Sequence, residues 1–154
     1  MGTASGSEST NERVAILRRL KEHLLLQRGK FQSYLDVLVK EEASIRNGDL
    51  EALSAQVNLE QGIVEEIYAF QKVIDPLQDL YRVAYPTHDP EIPSLQASLD
   101  NLLVRVLAHN EHNRTLLRDA MANLRQEIQS LRTPKLAKSP YGDVDAPSVI
   151  DIQT

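Results

Sequence analysis

SLQASLDNLLVRVLAHNEHNRTLLRDAMANLRQEIQSLRT, residues 94–133, contains neither Pro nor Gly, and its reading decides the fold class. Its apolar positions step by three and four through Leu95, Leu99, Leu102 and Val106, then through Leu117, Leu124, Ile128 and Leu131. That is the period of an α-helix burying one stripe, and its persistence predicts bundle or coiled-coil packing. At a rise of 1.5 Å per residue, about forty residues make a rod on the order of 60 Å long. The rhythm asks for apolar residues at Asn110 and Asn113, where amides stand instead. An amide on a buried seam costs stability unless paired, and a polar seam residue can set helix register. Asn110 and Asn113 therefore either face a wet gap or set register within the bundle; gripping a partner is the other role open to them.

Upstream of this stretch, Tyr85 to Pro93 holds Pro86, Pro90 and Pro93 and reads as a connection. Before it, an apolar series runs through Leu50, Leu53, Val57, Val64, Ile67, Ile74 and Tyr81, with Ile63, Phe70, Val73 and Leu77 beside it. Pro76 falls inside that series and predicts a kink, because the period resumes at Leu77 and Leu80. Asn47-Gly48-Asp49 is the break ahead of it: Gly48 suits a left-handed helix end and Asp49 a cap. The first seam follows Leu17, Leu20, Leu24, Gln27, Phe31, Tyr34, Leu38 and Ile45, after a capping-box spacing at Ser9 and Glu12. Leu25, Leu26, Leu35, Val37 and Val39 widen that stripe, which favours packing against more than one helix.

These elements predict an all-α fold: an elongated antiparallel bundle of three long helices in up-down-up order, with coiled-coil-like packing. The helices are expected over about residues 10–46, 49–84 and 94–133, within one domain at 9–133. A disordered N-terminus at 1–8 and a flexible Pro-containing tail at 134–154 flank them. Charge favours pairing of the first two helices. Residues 10–46 carry eight Lys/Arg against five Asp/Glu, whereas residues 49–84 carry two against seven.

Composition removes several classes of function. A net charge of -5 leaves no basic surplus to neutralise phosphates, so no nucleic acid is expected as a partner. No apolar run approaches the roughly 20 residues of a membrane span, and no membrane insertion is expected. Residues 1–10 lack the basic start and apolar core of a signal peptide, Gly6 breaks the myristoylation pattern, and Cys is absent; the chain reads as soluble and cytoplasmic. His109 and His112, at i,i+3, share a helix face and could begin a metal site, but sequence supplies no further ligand. Glu41-Glu42 and Glu65-Glu66 are adjacent, so the members of each pair do not face each other on a helix, and they read as solvated charges. No phosphate-cradling loop, nucleophile elbow or dinucleotide fingerprint is present. No catalytic, cofactor-binding or metal residue is assigned, and neither enzymatic activity nor a cofactor is expected.

Three features in order resemble the flagellar FlgN-type export chaperones. The first is the helix end running from Glu41 through Asn47 into Gly48-Asp49-Leu50-Glu51-Ala52-Leu53. The second is Asn110-Glu111-His112-Asn113 followed by Leu116-Leu117, and the third is Tyr141-Gly142 in the tail. The resemblance spans roughly residues 14 to 145. It implies a small cytosolic bacterial helical chaperone that holds hook-associated (hook–filament junction) proteins before flagellar type III export. It further implies that the last helix and the tail engage the C-terminal helices of such a client. Asn113, Leu117, Met121, Leu124, Ile128 and Leu131 would form that grip, and Tyr141 would dock on the export gate. The family's tail usually carries a further Gly soon after the Tyr; here Val144 to Pro147 follow. Taken singly, the apolar grip residues read equally well as bundle core. The expected state is a monomer or weak dimer; the alternative function is a self-associating coiled-coil structural or adaptor protein without a secretion client.

Overall fold

A computed structural model describes residues 3–84 and 89–137, with side chains over 5–84 and 89–132. Residues 1–2, 85–88 and 138–154, Tyr141 among them, lie outside the described residues. Three helices make up the fold: α1 at Thr3–Asn47, α2 at Leu50–Ala84 and α3 at Glu91–Ala137. There is no strand among the described residues. The architecture is all-α, with three long helices in antiparallel, bundle-like packing. The chain divides into two compact units, residues 1–114 and 115–154.

Local chemistry sets the turns. Gly48 takes a positive φ of 69°, a conformation without steric cost only for Gly. The N–H of Asp49 then reaches the Ser44 carbonyl at 2.9 Å and that of Gly48 the Ile45 carbonyl at 3.2 Å, closing α1. Asp49 Oδ1 accepts the Ala52 N–H at 3.1 Å and opens α2, as the Asn-Gly-Asp stretch predicts. At the start of α3, Asp89 Oδ1 accepts the Glu91 N–H at 2.9 Å, while the Asp89 N–H donates to Tyr81 Oη at 3.0 Å. Lys21 Nζ joins this corner to α1 through Glu91 Oε2 at 2.6 Å and Asp89 Oδ2 at 3.3 Å. The hydrogen bond to Glu91 is the chief reason that Lys21 holds its proton above the ordinary lysine range.

Helix bounds differ from the expected ones at the ends. Thr3–Glu8, read as a disordered N-terminus, belong to α1. Nothing in that stretch breaks a helix beyond the modest cost of Gly6, whose carbonyl accepts the Thr10 hydroxyl at 2.8 Å. Helix α3 starts at Glu91 because Pro93 falls in its first turn, where no N–H is required. It continues through Pro134 to Ala137, just as α2 runs unbroken through Pro76.

The core of the first unit is two apolar clusters. Leu20, Leu24, Ile74, Leu77, Tyr81, Ile92 and Leu99 form one, drawn from all three helices. Tyr34, Val37, Leu38, Ile63 and Val106 form the other. Buried Gln27 lies on the α1 seam at a position between them, its amide donating to Gln71 Oε1 at 2.8 Å. Of the positions that widen the α1 stripe, Val37 is buried and Leu35 half-buried, but Leu25, Leu26 and Val39 stay exposed. On α2, Leu50 and Val57 are exposed as well, so the buried face is narrower than the apolar pattern. Lys30 pairs with Glu66 across α1 and α2, in the sense the charge balance predicts.

Two stability changes follow. Leu38→Ala removes a fully enclosed side chain and is expected to cost about 2–5 kcal/mol in urea unfolding. Pro76→Ala, at an exposed site inside α2, restores an N–H donor and is expected to raise the unfolding midpoint by about 1–3 kcal/mol of stability.

Candidate functional site

Beyond Val106, the buried seam of α3 turns polar where it meets α1. Asn113 is only 4% exposed, and its Nδ2 donates to the Leu38 carbonyl at 2.9 Å. Asn110 is half-buried and borders an open cleft beside Leu103, Leu107 and Val106. Helical spacing accounts for the difference: Asn113 continues the line of Leu99, Leu102 and Val106, while Asn110 continues that of Leu103 and Leu107.

Glu41 and Glu42, adjacent in sequence, meet different surroundings, which corrects their reading as plain solvated charges. Glu41 is 5% exposed and lies among Tyr34, Glu60 and Asn113. Burial, then the hydrogen bond and charge of Glu60, push its carboxyl up to about 8, while a hydrogen bond with Asn113 pulls the other way. Tyr34 Oη donates to Glu60 Oε1 at 2.6 Å; burial first, and then this bond, raise the Tyr34 phenol. Glu41 Oε1, Gln56 Oε1 and Asn113 Oδ1 are buried acceptors that no donor among the described residues satisfies. A proton on Glu41 converts one of these acceptors into a donor, which adds to burial in favouring the neutral form.

Glu42 is half-buried on the other side and is held below the ordinary carboxylate range, chiefly by Arg46 and next by His112. Arg46 Nη2 reaches its Oε1 at 3.0 Å and His112 Nε2 the same atom at 3.2 Å. His109 Nε2 lies 3.1 Å from Oε2 without hydrogen-bond alignment. Both imidazoles thus face a carboxylate of α1. Among the described residues, no cluster of His, Asp and Glu has the geometry to hold a metal ion.

In the second unit, α3 continues from Thr115 to Ala137. Leu117 is half-buried, whereas Met121, Leu124, Ile128 and Leu131 are exposed, Leu131 at 65%. These four share one helical stripe, so their exposure leaves a row of large apolar groups in water. Tyr141 lies outside the described residues.

A match to the FlgN protein family covers residues 16–144, most of the chain and all of this stripe. The chain belongs to the FlgN family. Membership places it among flagellar chaperones. An uncharacterized protein of Treponema pallidum (strain Nichols) is 32% identical over 151 residues, 98% of this chain and 97% of that protein. No solved structure matches. Among the described residues of this FlgN-family chain, no helix is long and apolar enough to cross a membrane.

Sequence reasoning passed over Glu41, although a signal was there. The seam steps from Leu38 to Ile45, and Glu41 occupies the position between them that the three-four rhythm marks as buried. Because its folded-state carboxyl titrates above the unfolded value of 4.5, its contribution to stability is fully present below about pH 4.5 and is lost as pH rises through about 8. Glu41→Gln keeps the shape and removes the titration. Urea unfolding of this variant is expected to show a flatter profile between pH 5 and 8, and stability above the parent at pH 8 by on the order of 2 kcal/mol.

Proposed function

We propose that this chain is a cytoplasmic chaperone of flagellar type III export that binds the C-terminal helical region of hook-associated proteins. It keeps them from premature assembly and delivers them to the export gate. The observation that carries this reading is the exposed apolar stripe of α3 within the span of the family match. Leu117, Met121, Leu124, Ile128 and Leu131 form the grip, laid against the apolar face of a client helix. Asn113 supports it by tying α3 to Leu38 four residues before Leu117. Tyr141 is the residue assigned to docking on the gate.

No catalytic group is needed for such work. The client's apolar helix is shielded by surface already arranged as a helix, so little ordering entropy is spent on the chaperone side of the contact. Calorimetric titration of the full chain with a hook-associated C-terminal helix is expected to show saturable one-to-one binding. Leu124→Asp places a charge in the middle of the stripe and is expected to weaken that binding at least about tenfold, some 1.4 kcal/mol. Absence of binding at micromolar concentration, or binding indifferent to Leu124→Asp, would sink the reading. Tyr141→Ala should leave client affinity unchanged and reduce delivery to the gate, read as secretion of the hook-associated protein.

A further inference from the structure

From Leu117 onward, α3 carries its apolar stripe on a strict seven-residue repeat. Leu117, Leu124 and Leu131 recur at one position of that repeat, and Met121 and Ile128 at another, four residues on. At about 100° per residue the five fall within a band roughly 80° wide. That is the width of a two-stranded coiled-coil seam, narrower than the face a helix buries in a bundle, and it takes one further helix. Leu117 is half-buried and the other four are exposed, so the seam is open along its length.

The two edges of the seam differ in charge. Arg118, Arg125 and Arg132 each follow a seam leucine and keep the same seven-residue spacing, so they form a row along one edge. All three are exposed. Neighbours on a helix surface stand three or four residues apart, and there Arg46 and Arg82 have carboxylates, Glu42 and Asp79. No Asp or Glu stands three or four residues from any arginine of the row. Among the described residues, none of the three is in an ion pair. The opposite edge holds Ala120 and Glu127, and Asp119 falls on the back of the helix.

We infer that these arginines select the client: the α3 seam takes a single amphipathic helix that carries a carboxylate at every seventh position along one edge of its own apolar stripe. The inference rests on the reading of the α3 stripe as the client grip. Residues at the edges of a two-helix seam meet across it, and their charges set partner and orientation. A guanidinium offers paired N–H donors that match a carboxylate. The row runs fourteen residue steps, about 21 Å, so the matching helix presents its carboxylates over about four turns. A Lys or Arg edge on the incoming helix is turned away by like charge, and an uncharged edge leaves apolar contact alone. A second copy of this chain is a poor match. Laid antiparallel it sets one arginine row against the other, and laid parallel it offers Glu127 alone. Each exposed pair is weak by itself, so selectivity comes from three of them in register.

Calorimetric titration of the full chain at low ionic strength tests this with two synthetic helical peptides. They share one Leu/Ile seam and differ only in the row beside it, Glu in one and Lys in the other. The Glu peptide is expected to bind on the order of tenfold tighter, with the difference shrinking at high salt. The triple variant Arg118→Glu, Arg125→Glu, Arg132→Glu, changed only at exposed positions, is expected to reverse the order and favour the Lys peptide. Circular dichroism checks that it keeps its helix content. Equal binding of the two peptides, binding of neither, or a preference that survives the charge reversal would overturn the inference. A hook-associated C-terminal helix separates it from the functional reading: it should bind the parent and lose about tenfold or more with the triple variant. Client binding that falls with Leu124→Asp but ignores the triple variant removes only this inference. Selection of the Glu peptide together with no affinity for hook-associated helices removes only the functional reading.

Discussion

The bond from Asn113 Nδ2 to the Leu38 carbonyl ties α3 to α1 through a buried amide. A backbone carbonyl inside a helix has a second lone pair to offer, and a buried amide has few other places to put its protons. Sliding α3 by a turn would break that bond, and the amide would have to find another acceptor along α1. Apolar packing alone tolerates such slips, since one leucine layer resembles the next. The polar contacts between α1 and α3 add a preference for one alignment. Lys21 with Asp89 and Glu91, at the other end of the contact, and Glu42 with His112 favour the same alignment.

This arrangement burdens stability. Glu41, Glu60, Tyr34 and Asn113 bring two carboxyl groups, a phenol and an amide together, leaving acceptor oxygens without donors. Buried polar groups of this kind are poor contributors to net stability, and their defensible use is in specifying one packing over another. The cluster keeps α3 in place with a narrow apolar face, from which Leu103 and Leu107 are excluded. A bundle built this way leaves apolar surface over for other helices.

Part of that surplus lies on α3 within the span of the FlgN family match. A helical apolar period is costly to maintain in water, and from Met121 to Leu131 it continues with each of its large apolar groups exposed. In the function proposed above, this exposed stretch of α3 is the surface that a client helix covers. Binding through preformed helical surface needs neither a cofactor nor a reactive group, only shape, apolar area and a rim of charge.

The amino-acid sequence by itself determined that there are three helices and where α1 turns into α2, though not the outer bounds of α1 and α3. The three-four period, the Gly48 left-handed end and the Asp49 cap are local properties, set by sterics and hydrogen bonds within a few residues. It also determined that α1 and α2 carry opposite charge, which the Lys30–Glu66 pair expresses. Only the tertiary structure decided which apolar positions have a partner. Leu25 and Val37 look alike in the α1 pattern, yet one is exposed and the other buried. Leu99 and Leu124 sit on the same kind of stripe with the same contrast. Glu41 is as acidic in sequence as Glu42, but burial keeps its proton on while Arg46 and His112 keep that of Glu42 off. The reason is common to all three cases. Periodicity states that a helix has an apolar face, whereas burial depends on whether another element is placed against it, and that is a property of the assembled chain.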